Sequence, residues 1–439
     1  MAAPRPASTR SAEGVPPPAD DLVIGRIGAD GDGVATLPSG DPAYLPLTLP
    51  GEHVAAARFV RRGEGWGGEA VIVTPSPDRQ PAPCPHFGAC GGCTLQHWQD
   101  APYAAWKSDQ LRTALARAGF ADVPIGPLAR TAPGTRRRVD LALVREDGRV
   151  RVGLHRRRDR TVVDIETCLV LEPPLVALIG ALRRVLPGVA GLRRVGSAVA
   201  NRLESGIDLL LRTDGPLVAS DRVKLTALAQ DAGLCRVSWA LNDGPPEPAC
   251  LLLPAQTMLA GVPVSPPPGA FLQASAAGEA AITASVLAGL PDKLPARARI
   301  AELFAGCGTL TFALAERARV VAYEGDKAAH DALRRAVMGR RVEAVQRDLA
   351  RQPLTVKELS GAAAIVLDPP FTGAVAQMAG IAASGAARVI YVSCNPAALA
   401  RDARPLREAG YQVLAATPID QFLWSSQVES VTVFGRERR

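Results

Sequence analysis

The sequence predicts a multidomain α/β protein ending in a Rossmann-like parallel sheet, and three observations predict it. From Arg299 onward, apolar strand-like runs alternate with helical periodicity. Several of those runs end on glycine or on a polar side chain, as ligand-binding sheets do. Residues 21–75 read differently, as short β segments cut by Gly-Asp-Gly, Pro-Ser-Gly and Pro-Gly turns. Alternation implies a parallel sheet with helices on both faces. The short segments suit a small OB-like barrel of about five strands over Asp21–Pro75.

A chain of 439 residues can bury several cores. The expected division is a Pro- and Ala-rich disordered leader at 1–20, the barrel at 21–80, a central α+β domain at 81–265 and the alternating domain at 266–439. The leader lacks the apolar core of a secretory signal, and no run of about 18 apolar residues occurs elsewhere. No membrane segment and a cytoplasmic location are therefore expected. Eight cysteines are not expected to form structural disulfides there.

The net charge of +7 points to an anionic partner, and it is concentrated. Between Arg130 and Arg160 stand eleven Arg and four acidic residues, an excess of seven. Arg136-Arg137-Arg138 and Arg156-Arg157-Arg158 bracket two alternating stretches that read as a hairpin around Glu146-Asp147-Gly148. Such a ribbon either tracks phosphates or is a solvated basic face.

Three cysteines share one loop, CPHFGACGGCTLQHW, with Cys84, Cys90 and Cys93 spaced C-x5-C-x2-C. Its Pro and Gly residues turn the backbone so that thiolates can converge. Cys168, in DIETCLVLEP, is the best fourth ligand, because Cys235 and Cys250 sit in apolar runs as ordinary buried thiols. Four thiolates suit a [4Fe-4S] centre at least as well as zinc, a choice that His86 and His97 leave open.

In the alternating region, RIAELFAG, RVVAYEGD, VEAVQRD, AAIVLDPP and RVIYVSCNP read as successive strands. Glu302 and the turn Phe304 to Thr309 close the first, where Gly306 and Gly308 let a cofactor approach the backbone. Glu324, sixteen residues beyond Gly308, stands where an acid holds ribose hydroxyls. Asp348, Asp368 and Cys394 end the next three. The third glycine of a dinucleotide fingerprint is missing, which leaves an adenosine cofactor without a pyrophosphate: S-adenosylmethionine.

Six motifs, CPHFGACGGCTLQ, GAFLQAS around Gln273, ELFAGCGTLTFALA, VLDPP, SCNPAALARD and QVESV, run in order from Cys84 to Val431. Together they resemble the RNA 5-methyluridine methyltransferases, in particular the iron–sulfur members acting on 23S ribosomal RNA. The resemblance implies that the barrel is a TRAM domain, that Cys84, Cys90, Cys93 and Cys168 hold [4Fe-4S], and that the middle domain helps bind RNA. It places Gln273, Phe304, Gly306, Gly308, Thr309, Glu324, Asp348 and Asp368 around S-adenosylmethionine. It also makes Cys394 the nucleophile that adds to uracil C6, Glu429 the base that removes the C5 proton, and Asp368 an orienting group. A monomer acting on 23S ribosomal RNA is expected, with the tRNA T-loop as the alternative substrate.

Two departures bear on the substrate. Phe371 replaces the Arg that usually follows Asp-Pro-Pro, and Leu423, Ser426 and Gln427 replace the usual Pro, Thr and His before the terminal acid. Asp-Pro-Pro-Phe also resembles the motif by which amino-methyltransferases hold an exocyclic amine, chemistry that needs neither Cys394 nor Glu429. A third reading is an RNA-binding protein that no longer turns over.

Overall fold

The computed structural model describes residue 16 and residues 18–436. Most of the expected leader lies outside the described residues, and its last two residues, Ala19 and Asp20, already belong to a strand, Ala19–Val23. The chain divides into two compact units.

The first unit holds the described residues up to Pro83 together with Thr94–Tyr103. Its six-stranded sheet orders Ala19–Val23, His53–Arg62, Gly65–Thr74, Pro42–Leu45, Gly33–Thr36 and Arg26–Ile27. About five strands were expected; Arg26–Ile27 is too short to show any alternation. Ile24, Leu45, Val54, Phe59 and Trp66 form its core.

The second unit contains Cys84–Cys93 and the described residues from Ala104 onward. Its first sheet has seven strands, antiparallel except where Gly206–Thr213 lies beside Leu234–Leu241. The basic hairpin is there, Arg138–Glu146 against Arg149–His155. Both residues of its turn take positive φ, Asp147 at 49° and Gly148 at 76°, the twist a two-residue hairpin requires. Helices Pro173–Val185 and Ala219–Asp231 cover the sheet through Leu178, Leu182 and Leu225, closing on the buried Trp239.

The second sheet carries the predicted alternation. Its eight strands run Val342–Gln346, Arg319–Glu324, Arg299–Leu303, Ala364–Leu367, Arg388–Ser393, Glu429–Gly435, Gln412–Asp420 and Ala129–Arg130. The first five are parallel, and Glu429–Gly435 is antiparallel to both its neighbours. Strand order reverses at Arg299–Leu303, so a crevice opens beyond its carboxyl end. Apolar layers form on both faces, one including Leu303, Leu367, Tyr391 and Leu399, the other Ile300, Val320, Val366 and Val392.

Two pieces from the segment assigned to the central domain join this sheet. Leu111, Leu115 and Phe120, in and just after helix Asp100–Arg117, enter its core. Ala129–Arg130 pairs with Ile419 and Asp420 at its edge. No helix among the described residues is long and apolar enough to cross a membrane.

Candidate active site

Of the predicted residues of the alternating domain, those from Phe304 to Cys394 fall at the carboxyl ends of the parallel strands, whereas Glu429 opens an antiparallel strand and Gln273 lies outside the sheet. The first turn is shaped by backbone conformation: Phe304 at φ 64°, Gly306 at 57° and Gly308 at 104° all lie in the left-handed region. At Gly308 a Cβ would come within 2.6 Å of the Phe312 ring, so only glycine fits. At Gly306 a Cβ would meet nothing within 4 Å, and the turn is open there. Thr309 lies half-buried in the same turn.

Glu324 braces that turn from the next strand. Its Oε2 accepts from Gly306 N–H at 2.7 Å and its Oε1 from Asp326 N–H at 2.7 Å. The carboxylate is thereby fixed with lone pairs remaining for a ligand. Asp348 is exposed, and its Oδ1 accepts from the N–H groups of Ala350 and Arg351 at 3.0 and 3.2 Å, the capping of its own turn.

Cys394 is set by a helix start. Asn395 accepts from Ala397 and Ala398 N–H groups, and Pro396 takes the first helical position of Pro396–Asp402. That is why the apolar strand Arg388–Ser393 stops where it does. The Asn395 amide also donates to Phe371 O at 2.9 Å, and Arg401 donates to Thr372 O at 2.7 Å. Asp402, fully buried, accepts from Ala374 N–H at 2.6 Å and from the Tyr391 hydroxyl at 2.7 Å. The LARD residues therefore clamp the loop after Asp-Pro-Pro against the helix that follows Cys394.

Pairing of Ser393 with Ser430 across antiparallel strands brings Cys394 beside Glu429. Burial pushes the Cys394 thiol up to about 12, and the charges of Glu429 and Asp368 push the same way. Glu429 is itself raised to about 8, by burial first and then by Asp368, against the hydrogen bond from Gln421. Asp368 is raised to about 7 by burial, with Gln273 opposing. A fourth acid, the buried Glu302, is lifted to about 8 by burial. These carboxyls hold protons near neutrality because burial penalises their charged forms, and at Glu429 and Glu302 the charge of Asp368 adds to that cost.

Gln273 lies outside the sheet, just before helix Ala276–Ala288, and the buried Arg137 secures it. Arg137 Nε donates to Gln273 O at 3.1 Å, and its Nη2 pairs with Glu279 at 2.6 Å. This corrects the first Arg triplet as a phosphate track: Arg137 faces inward, because an ion pair and a carbonyl compensate its burial. Arg156 and Arg158 of the second triplet are exposed.

Two further residues matter that the sequence reading passed over. Gln421 is buried between Gln273 and Glu429, 2.8 Å from one and 2.9 Å from the other. Lys107 is fully buried and donates to Asp420 Oδ1 at 2.9 Å, with Phe422 O and Gln427 O also among its acceptors. Its position offered a signal: Tyr103, Lys107 and Leu111 share one helical stripe, and only the lysine is polar.

In the cysteine loop, Cys90 lies near enough to Cys84 and to Cys168, from outside the loop, for their charges to interact. Burial raises the Cys90 thiol, and Cys168 and Cys84 add to the rise, while Gly92 N–H donates to its Sγ at 3.4 Å. A Cβ at Gly91 would sit 2.7 Å from His155 O, which shows how closely the loop packs on the hairpin. Among the described residues no three His, Cys, Asp or Glu side chains are grouped to hold a metal ion. His86 accepts from Glu166 N–H at 3.2 Å, and His97 belongs to the other unit.

No family model matches the chain. An RNA methyltransferase of Brucella suis is 40% identical over 424 residues, 95% of this chain and 98% of that protein. The 23S rRNA (uracil(1939)-C(5))-methyltransferase RlmD of Chromohalobacter salexigens is 33% identical over 436 residues, 95% of this chain and 90% of that protein. In fold, the chain is similar to Pyrococcus abyssi tRNA (uracil-54, C5)-methyltransferase crystallised with S-adenosyl-L-homocysteine. The TM-score is 0.72 at 19% identity, covering 94% of this chain and 100% of that one. The likeness at this length, with the motif residues gathered at the strand ends, shows that the chain belongs to the S-adenosylmethionine-dependent RNA uracil-C5 methyltransferases.

Proposed function

We propose that the chain forms 5-methyluridine in 23S ribosomal RNA, with Cys394 as the nucleophile and Glu429 as the base. The observation that carries this reading is the strand register that sets Cys394 against Glu429. A thiol and a carboxyl with no other bond for its Oε1 are the two groups that addition to C6 and deprotonation at C5 require.

Bound S-adenosylmethionine supplies an electrophilic methyl group. The thiol proton leaves to solvent, and Cys394 Sγ adds to C6, sending the C5–C6 π pair toward the C4 oxygen so that C5 becomes nucleophilic. Once C5 carries the methyl, Glu429 in its ionised form accepts the C5 proton at Oε1; that form is the minority at neutral pH, because its value is raised to about 8. The freed pair restores C5–C6 and expels the sulfur. Asp368, held by Gln273 at 3.2 Å, lies on the cofactor side of this pair and orients the reactants. Gln273, Phe304, Gly306, Gly308, Thr309 and Glu324 form the cofactor pocket in this reading, and Asp348 borders it.

The amino-terminal sheet serves as a TRAM domain binding RNA, and Cys84, Cys90, Cys93 and Cys168 take [4Fe-4S]. Four thiols with no carboxylate among them are a donor set that fits an iron–sulfur cluster. A cluster held by these four cysteines would leave no iron open to a substrate and would fasten the loop beside the basic hairpin.

The test uses RNA containing 5-fluorouridine, whose C5 fluorine cannot leave as a proton. Wild-type protein with S-adenosylmethionine forms an adduct stable to denaturation and mapping to Cys394, and Cys394→Ala forms none. Undiminished methyl transfer by Cys394→Ala would overturn the mechanism. Loss of the gene is expected to remove 5-methyluridine at one 23S position; loss from tRNA instead would overturn the substrate.

A further inference from the structure

Four side chains, three buried and one, Asp368, half-buried, form one hydrogen-bonded line through the site. Gln421 Oε1 accepts from Ala274 N–H at 3.2 Å, which fixes the orientation of its amide, because the reversed amide would face one donor with another. Its Nε2 then donates both to Glu429 Oε2 at 2.9 Å and to Gln273 Oε1 at 2.8 Å. Gln273 Nε2 in turn donates to Asp368 Oδ2 at 3.2 Å. The side-chain donors run away from Ala274, and the line ends on a carboxyl group in each direction, Glu429 and Asp368.

The amide has no freedom to rotate out. A Cβ at Gly278 would lie 2.8 Å from both Cβ and Oε1 of Gln421, so the side chain is packed along its length. The remaining carboxylate oxygen, Glu429 Oε1, is buried without a hydrogen-bond partner. A buried acceptor left bare is costly unless something fills it during function.

We propose that Gln421 is a positioning residue for proton removal: by occupying Oε2 of Glu429 it aims Oε1 at the C5 proton, and through Gln273 it ties the base to the carboxylate on the cofactor side. Gln421 touches none of the reacting atoms. Its loss therefore impairs the step that depends on Glu429 while sparing attack by Cys394 and methyl transfer. The methylated, sulfur-linked RNA then waits for deprotonation.

This inference rests on the covalent reading above, and its test separates the two. Unmodified target RNA and methyl-labelled S-adenosylmethionine are mixed with wild-type, Gln421→Met or Gln421→Glu protein, quenched in denaturant and resolved into protein-bound and free RNA. Gln421→Met keeps the volume and deletes both donated bonds; Gln421→Glu keeps the shape and length but puts an acceptor where the donor was. In both variants the share of methyl label trapped on protein rises several-fold over wild type, while total label in the first turnover stays within about twofold. Glu429→Gln sets the fully stalled level. A thermal melt selects the variant that folds. An unchanged trapped share, or total label and trapped label falling together, overturns the role of Gln421. Wild-type protein that gives no 5-fluorouridine adduct overturns the covalent reading instead, whatever the Gln421 variants do.

Discussion

Lys107 Nζ lies 2.9 Å from Asp420 Oδ1, with both side chains fully buried, and the two are separated by 313 residues of chain. Burial drives the ammonium toward neutrality, and the Asp420 charge holds it ionised. Because the same nitrogen also reaches the Gln427 carbonyl, helix Asp100–Arg117 fastens both ends of the segment that leads from Gln421 to Glu429.

Lys107→Met removes the cation and leaves Asp420 buried without it. The expected loss is about 3–5 kcal/mol in urea unfolding, the range for stripping one partner from a buried pair. A loss below about 1 kcal/mol would show that the pair does not hold this segment.

Glu302 contributes to the pH dependence of stability. Its folded value of about 8 stands above the ordinary carboxylate range, through burial. The native state is thus favoured by the protonated acid, fully so below the ordinary value, and that contribution is lost as pH rises through about 8. Glu302→Gln stays neutral throughout. Its stability relative to wild type is expected to climb between pH of about 5 and about 9, read by thermal melts across that range. A difference that stays flat would show that Glu302 is ionised in the fold.

Phe371 is 56% exposed, although its backbone is tied by Asn395 and the next carbonyl by Arg401. A large ring held out on a rigid loop beside Cys394 offers a stacking surface for a base. Phe371→Ala is expected to weaken RNA binding by about 1–3 kcal/mol, with Phe371→Trp restoring it. Equal binding by all three proteins in a titration would remove the ring from the interface.

How far the site could be read in advance depended on how local each signal was. Glycines at positive φ, the Asn395-Pro396 helix start and the acids closing apolar runs are set by near neighbours, so the turn at Gly306 and the end at Cys394 were legible. Arg137 was not. A guanidinium in a basic run looks like a phosphate contact until Glu279, 142 residues away, is seen beside it.

The sequence by itself determined the alternating α/β architecture and the turn chemistry, and its motifs singled out Cys394 and Glu429, because strand periodicity, capping and motif spacing are properties of neighbouring residues. Only the tertiary structure decided that Glu429 faces Cys394, that Gln421 joins Glu429 to Gln273, and that Lys107 pairs with Asp420. Those relations come from strand register and from burial, which couple residues far apart in the chain and leave no local pattern.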